Sequence, residues 1–143
     1  DYYKEMIIAG SDADVVVLET MTDLLELKAA VLAVRENSHL PLMCTMTFEQ
    51  NLRTFTGTSV ESMAVTLESL GVDAIGVNCS LGPKELYPVV EKMSRYTTLP
   101  LIRSFYDATE TYEQTIGMID TFLESNYYRL IQGDYLYMTK FFL

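Results

Sequence analysis

Cysteine is scarce in this chain. Cys44 and Cys79 are the only two in 143 residues. Two thiols do not make a disulfide framework, and they fit a reducing, cytoplasmic compartment. Histidine is scarcer still: His39 stands alone. Tryptophan is absent. Basic residues are few, with 10 Lys and Arg against 20 Asp and Glu, giving a net charge of -10. A nucleic-acid partner needs a basic face to neutralise phosphates, so that class is excluded, and an anionic membrane surface is disfavoured. The acidity reads most simply as a solubility device. No apolar run approaches a membrane span, and no signal-peptide pattern is present. The glycine fingerprint of a dinucleotide fold is missing too, which weakens an open doubly wound sheet.

Apolar residues are plentiful. They make up 49% of the chain, with ten Tyr and six Phe, a composition for a packed core and not for disorder. The segment YYKEMIIAGSD reads as the end of a helix that Gly10 stops. DVVVLE, residues 14–19, is short, β-branched and continuously apolar, the pattern of a strand buried on both faces. In TDLLELKAAVLAVREN, Leu24, Leu27, Val31 and Val34 fall on one helical stripe, with Glu26 and Lys28 pointing away. LPLMCTMTF is the next strand. SVESMAVTLESLG is a helix with Ser59 as N-cap and Gly71 as stop. VDAIGVN is a strand, and GPKELYPVVEKMSRY a helix opened by Pro83 and burdened by Pro88. LPLIRSF, TYEQTIGMIDTFLESN and YYRLIQG complete the series as strand, helix, strand.

Strands and helices alternate through short connections, so the fold class is α/β with a parallel sheet. A faint repeat runs through it. Asp14 and Asp73 open equivalent strands, and Leu40-Pro41-Leu42 and Leu99-Pro100-Leu101 open the next pair, both at an interval of 59 residues. Two βαβ units at one period point to a rotating architecture, a (β/α) barrel. Five strands are visible where a complete barrel has eight in roughly 250 residues. The expectation is a partial (β/α)8 TIM barrel, roughly its last five strands, in one domain over residues 1–143. A start at Asp1, inside a helix, and an aromatic end, DYLYMTKFFL, suggest a fragment.

Barrels of this kind carry their active sites at the C-terminal ends of the strands. Glu19, Asn78-Cys79 and Gln132-Gly133-Asp134 end three of them. Glu19 either bonds a nearby helix N-terminus or backbone amide, or serves a ligand. Cys79 is either an inert residue or a thiolate favoured by the helix that follows. Asp134 reads as a turn residue. His39 precedes a strand, at the wrong end, and Cys44 lies mid-strand in the core. Gly57-Thr58-Ser59 is a turn and cap that can also approach a ligand closely. Residues alone stop at a half-barrel with a carboxylate and a thiol at its mouth.

Three stretches carry a resemblance: VVVLETMTDLLELKAAVLAVREN, MTFEQNLRTFTGTS and GVDAIGVNCSLGPKELYPVVEKMSRYTTLPLI. Together they resemble the homocysteine S-methyltransferase family, most closely the N-terminal module of its cobalamin-dependent members. The likeness covers residues 14–102, whereas 103–143 diverge. It implies a zinc ion held by three thiolates, of which Cys79 matches one, and a homocysteine whose sulfur takes the remaining position to accept a methyl group and give methionine. Glu19 matches the glutamate that holds the substrate's amino group, and Asn78 would orient the metal ligand beside it. The methyl donor would be methylcobalamin on a partner module, or a sulfonium or betaine. The family's Cys-Cys pair is replaced here by Asp134 and Tyr135 in IQGDYL, with Asp134 a weak substitute ligand, and RSFYDATE stands where an Asn-Ala-Gly-Leu-Pro-like stretch belongs. The implied activity is therefore a zinc-dependent methyl transfer not completed by these residues alone. Two other readings stand beside it: a non-catalytic half-barrel that pairs with itself or another chain, and a barrel that binds some other amino acid through Glu19 without metal.

Overall fold

The computed structural model describes residues 1–79 and 83–104. They form helix α1 (Tyr2–Ala9), strand β1 (Val16–Met21), α2 (Leu24–Asn37), β2 (Leu42–Met46), α3 (Val60–Ser69), β3 (Ala74–Asn78), α4 (Pro83–Met93) and β4 (Leu101–Ser104). The four strands make one sheet in the order β1-β2-β3-β4. Every pairing is parallel. Strands in chain order, each joined to the next through a helix, are the repeating unit of a (β/α) barrel, here an open segment of one. The expected strand over residues 127–133 and the helix before it lie outside the described residues.

Helix boundaries follow capping chemistry. Asp23 caps α2, its Oδ1 accepting from the backbone N–H groups of Leu25 at 2.8 Å and Glu26 at 2.9 Å. The sequence reading had not singled out this cap. Ser59 caps α3 as expected, its Oγ accepting from Ser62 N at 3.3 Å. Gly71 follows α3 with φ of 73°, a left-handed turn that favours glycine. Pro88 is tolerated inside α4.

The helices bury one stripe each against the sheet. Leu27, Ala30, Val31 and Val34 of α2 are buried, as are Val60, Met63, Ala64 and Leu67 of α3. They meet Leu42, Cys44 and Met46 of β2 and Ile75 and Val77 of β3 in one core. Burying each large aliphatic side chain contributes about 1.5–3 kcal/mol. Alternation along a strand sends Met43, Thr45, Ala74 and Asn78 to the opposite face. These are buried too, so both faces of β2 and β3 are covered, as their unbroken apolar runs predicted. Strand β1 is only partly buried along its length.

At the N-terminal end of the sheet, Asp73 ties three elements together. Its Oδ2 accepts from Leu42 N at 2.8 Å and from Arg35 Nη2 at 2.8 Å, and Arg35 also donates to the carbonyl of Gly71. The charged bonds level the starts of β2 and β3, so their far ends also finish level. His39 is exposed at this same end, in the loop entering β2.

Gly76 pairs with Ile102 in the neighbouring strand, and a Cβ at this position would overlap the Ile102 backbone. Gly76→Ala is therefore expected to lower stability by about 1–3 kcal/mol through overpacking. A shift of the urea midpoint at unchanged slope checks it, and an unshifted midpoint would show that the two strands part easily.

Candidate functional site

The C-terminal ends of β1, β2 and β3 stand side by side. Strand β1 reaches this mouth through an irregularity. Leu18 pairs with Cys44, but Met21 pairs with Met46, so β1 carries one extra residue between them. The bulge falls on Glu19 and Thr20, and Thr20 takes φ of 59°. A left-handed conformation is unusual for a β-branched residue and costs on the order of 1–3 kcal/mol. Thr20 N leaves the ladder and donates to Thr45 Oγ1 at 3.1 Å. A bulge of this kind re-aims side chains at the rim of a sheet.

Strand β3 ends in a similar way. Cys79, directly after Asn78, has φ of 70°. Thr20 and Cys79 are 59 residues apart and their Oγ1 and Sγ atoms lie 3.8 Å from one another. The interval equals the sequence repeat, so the two left-handed turns occupy equivalent places in successive units.

Between them sits the Asn78 carboxamide, fully buried. Its Nδ2 donates to Thr20 Oγ1 at 2.7 Å and to Cys79 Sγ at 3.2 Å. Thr47 Oγ1 donates to the Asn78 carbonyl at 3.3 Å, fixing the strand end. The Asn78 Oδ1 atom has no hydrogen-bond partner, which is costly for a buried acceptor. Glu19 is half-buried, and loss of water raises its carboxyl above the usual carboxylate range. A hydrogen bond from the Asn78 side chain pulls it partly back down. Among the described residues, Glu19 has no ion-pair partner.

The structure thus brings Glu19, Asn78 and Cys79 together. Thr20, Thr45 and Thr47 were missed, although the repeat aligns Thr20 with Cys79 and so carried a signal for it. Asp134 lies outside the described residues. Cys44 projects to the helix side of the sheet, fully buried, and burial pushes its thiol far above the ordinary range. Gly57 has φ of 91° and open space around it, consistent with a turn ahead of the α3 cap.

These positions allow a test of the zinc site that the resemblance implied. A zinc ion bound by thiolates needs several convergent ligands. Cys79 is the only thiol at the mouth, Cys44 faces away and His39 is at the other end of the sheet. Among the described residues no group of three His, Cys, Asp or Glu side chains converges to hold a metal. Among these residues, one thiolate alone does not make up the family's metal site. Among the described residues the mouth offers the half-buried Glu19 carboxylate beside an exposed thiol. A carboxylate suits an ammonium group.

The family model described as homocysteine S-methyltransferase matches residues 1–131. The chain belongs to that family. The match runs beyond the 14–102 stretch in which the motifs can be read. Methionine synthase of Mycobacterium tuberculosis is 35% identical over 108 residues, covering 71% of this chain. Methionine synthase of Mycobacterium leprae is likewise 35% identical over 108 residues. The chain spans only 9% of the length of these two relatives. No described helix is long and apolar enough to cross a membrane.

Glu19 carries a testable cost. Its raised pKa means that the folded chain holds the proton more tightly than the unfolded chain. Ionisation therefore opposes folding above the ordinary carboxylate range, and the penalty vanishes in acid, where both states are protonated. Glu19→Gln should raise the urea midpoint near neutral pH and leave it unmoved in acid. A mutant that is less stable near neutrality would show that the carboxylate is well solvated after all.

Proposed function

We propose that this chain is part of a methyl-acceptor domain for homocysteine, and that the mouth of its sheet binds the amino-acid end of that substrate. The observation that carries the reading is the half-buried Glu19 carboxylate, without an ion-pair partner among the described residues, beside Thr20, whose hydroxyl meets the Cys79 thiol. The Glu19 carboxylate would receive the substrate's ammonium, and the thiol side chain would then lie toward Cys79 and Thr20. Family membership supports the rest. In the complete enzyme a homocysteine sulfur takes a methyl group and becomes methionine. The thiol gives up its proton to solvent, the thiolate lone pair forms the new S–C bond, and the donor leaves with the electrons of the old one. The donor would be methylcobalamin on a partner module, or a sulfonium or betaine. Residues 1–143 are read as one partial barrel domain, with the catalytic centre left incomplete in this chain alone. Two free cysteines fit a cytoplasmic setting.

A second reading has its own support. Strand β1 lies at the edge of the sheet and is only partly buried, unlike β2 and β3. Sheet edges invite pairing, so a non-catalytic half-barrel that pairs through β1 with another copy is the alternative.

Calorimetric titration with reduced homocysteine separates the two readings. Glu19→Gln should weaken binding about 10–100-fold, the worth of a charged hydrogen bond in a partly buried site. 4-Mercaptobutyrate, which has the thiol but no amine, should fail to bind. Equal binding of homocysteine by wild type and mutant would overturn the proposal. Elution as a stable dimer with no amino-acid binding would favour the half-barrel instead.

A further inference from the structure

We propose that the Thr20 hydroxyl is a specificity-determining donor at the mouth, offering its hydrogen to an acceptor atom on the ligand's side chain; this rests on the amino-acid reading above for its ligand class. Family resemblance gave Thr20 no role. Its place in the fold does.

Thr20 has a φ of 59°, a conformation that glycine adopts freely and a β-branched residue resists. Strain of this kind persists where the side chain itself is needed. The Thr20 backbone N–H is turned out of the ladder to Thr45 Oγ1 at 3.1 Å. The bulge thus sets the hydroxyl at the exposed rim, beside Cys79.

The neighbours of the hydroxyl decide where its hydrogen goes. A hydroxyl has one hydrogen to give and two lone pairs that receive. Asn78 Nδ2 donates to the Thr20 oxygen at 2.7 Å. The same amide donates to Cys79 Sγ at 3.2 Å, so the sulfur already acts as an acceptor. Cys79 Sγ lies 3.8 Å from Thr20 Oγ1, and its S–H meets the second lone pair. With both lone pairs met, the Thr20 hydrogen turns out of this triangle. Thr20 is exposed, so that hydrogen is presented at the open mouth, within reach of a ligand. A hydroxyl that already accepts from an amide is polarised by it and donates more strongly.

Glu19 precedes Thr20 on the same bulge. Neighbouring Cα atoms lie about 3.8 Å apart. A short amino acid whose ammonium meets Glu19 can therefore bring a side-chain sulfur or oxygen to Thr20. A methyl group in that position gains nothing from the donor.

Calorimetric titration tests this with homoserine, whose side chain ends in an acceptor, and norvaline, which carries a methyl group there instead. Wild type should bind homoserine about five- to tenfold tighter than norvaline, the contribution of one neutral hydrogen bond. Thr20→Val keeps the branched shape but has no hydrogen to give, and should bring the two within about twofold. Thr20→Gly, which relaxes the backbone, should do the same and serves where Thr20→Val does not fold. Thr20→Ser should restore the preference. A purely structural role for Thr20 would weaken both ligands together and leave their ratio unchanged.

Equal binding of homoserine and norvaline by wild type overturns the proposal alone. So does a preference that survives in a folded Thr20→Val or Thr20→Gly, and so does binding of homocysteine with neither analogue bound. Failure of homocysteine itself to bind overturns the reading beneath as well, so the two failures are distinguishable. A preference lost with the hydroxyl and regained with serine supports the proposal.

Discussion

The mouth of this sheet depends on one buried carboxamide. Asn78 is fully buried, so its polar atoms must find their partners inside the fold. Its nitrogen bonds reach Thr20 on β1 and Cys79 beyond β3, spanning the end of β2 between them. They hold the bulge of β1 and the turn after β3 against each other. Two left-handed residues that each cost energy are thereby fixed in place, and the strained backbone gains a reason. Glu19 is aimed by the same bulge.

This clasp needs strand ends that finish level, and that requirement is met at the far end of the sheet. Arg35 and Asp73 set the starts of β2 and β3, and five-residue strands carry the alignment across. Close approach of β3 and β4 at Gly76 adds to it. The core on the helix side is ordinary aliphatic packing. Its role in function is to keep short, stiff strands in register, so that polar groups at their ends meet within hydrogen-bond distance.

Much of this was legible in the sequence, for physical reasons. Strands buried on both faces read as unbroken apolar runs, so β2 and β3 stood out. The Ser59 cap and the left-handed Gly71 announced the ends of α3. Glu19 and Cys79 were visible because a carboxylate or thiol after an apolar run is out of place. Thr20, Thr45 and Thr47 were not visible. Threonine is common in strands, and only the bulge at Glu19–Thr20, a matter of register between two strands, turns these hydroxyls toward one another. The unpartnered Asn78 oxygen is likewise a fact of three-dimensional packing. Family resemblance predicted a metal-binding thiol at Cys79; Cys44 and His39 lie away from it, and Asp134 lies outside the described residues.

The sequential order of the strands has a further consequence, in time. Each strand pairs with the one made just before it, so no contact of the sheet waits for a distant part of the chain. During synthesis from the N-terminus, β1 and β2 can pair first, leaving Thr20 and Glu19 poised without their amide. The arrival of residues 78 and 79 then closes the clasp in a single step. The clasp can thus close before α4 and β4 are made, and its formation reports that β3 has docked beside β2.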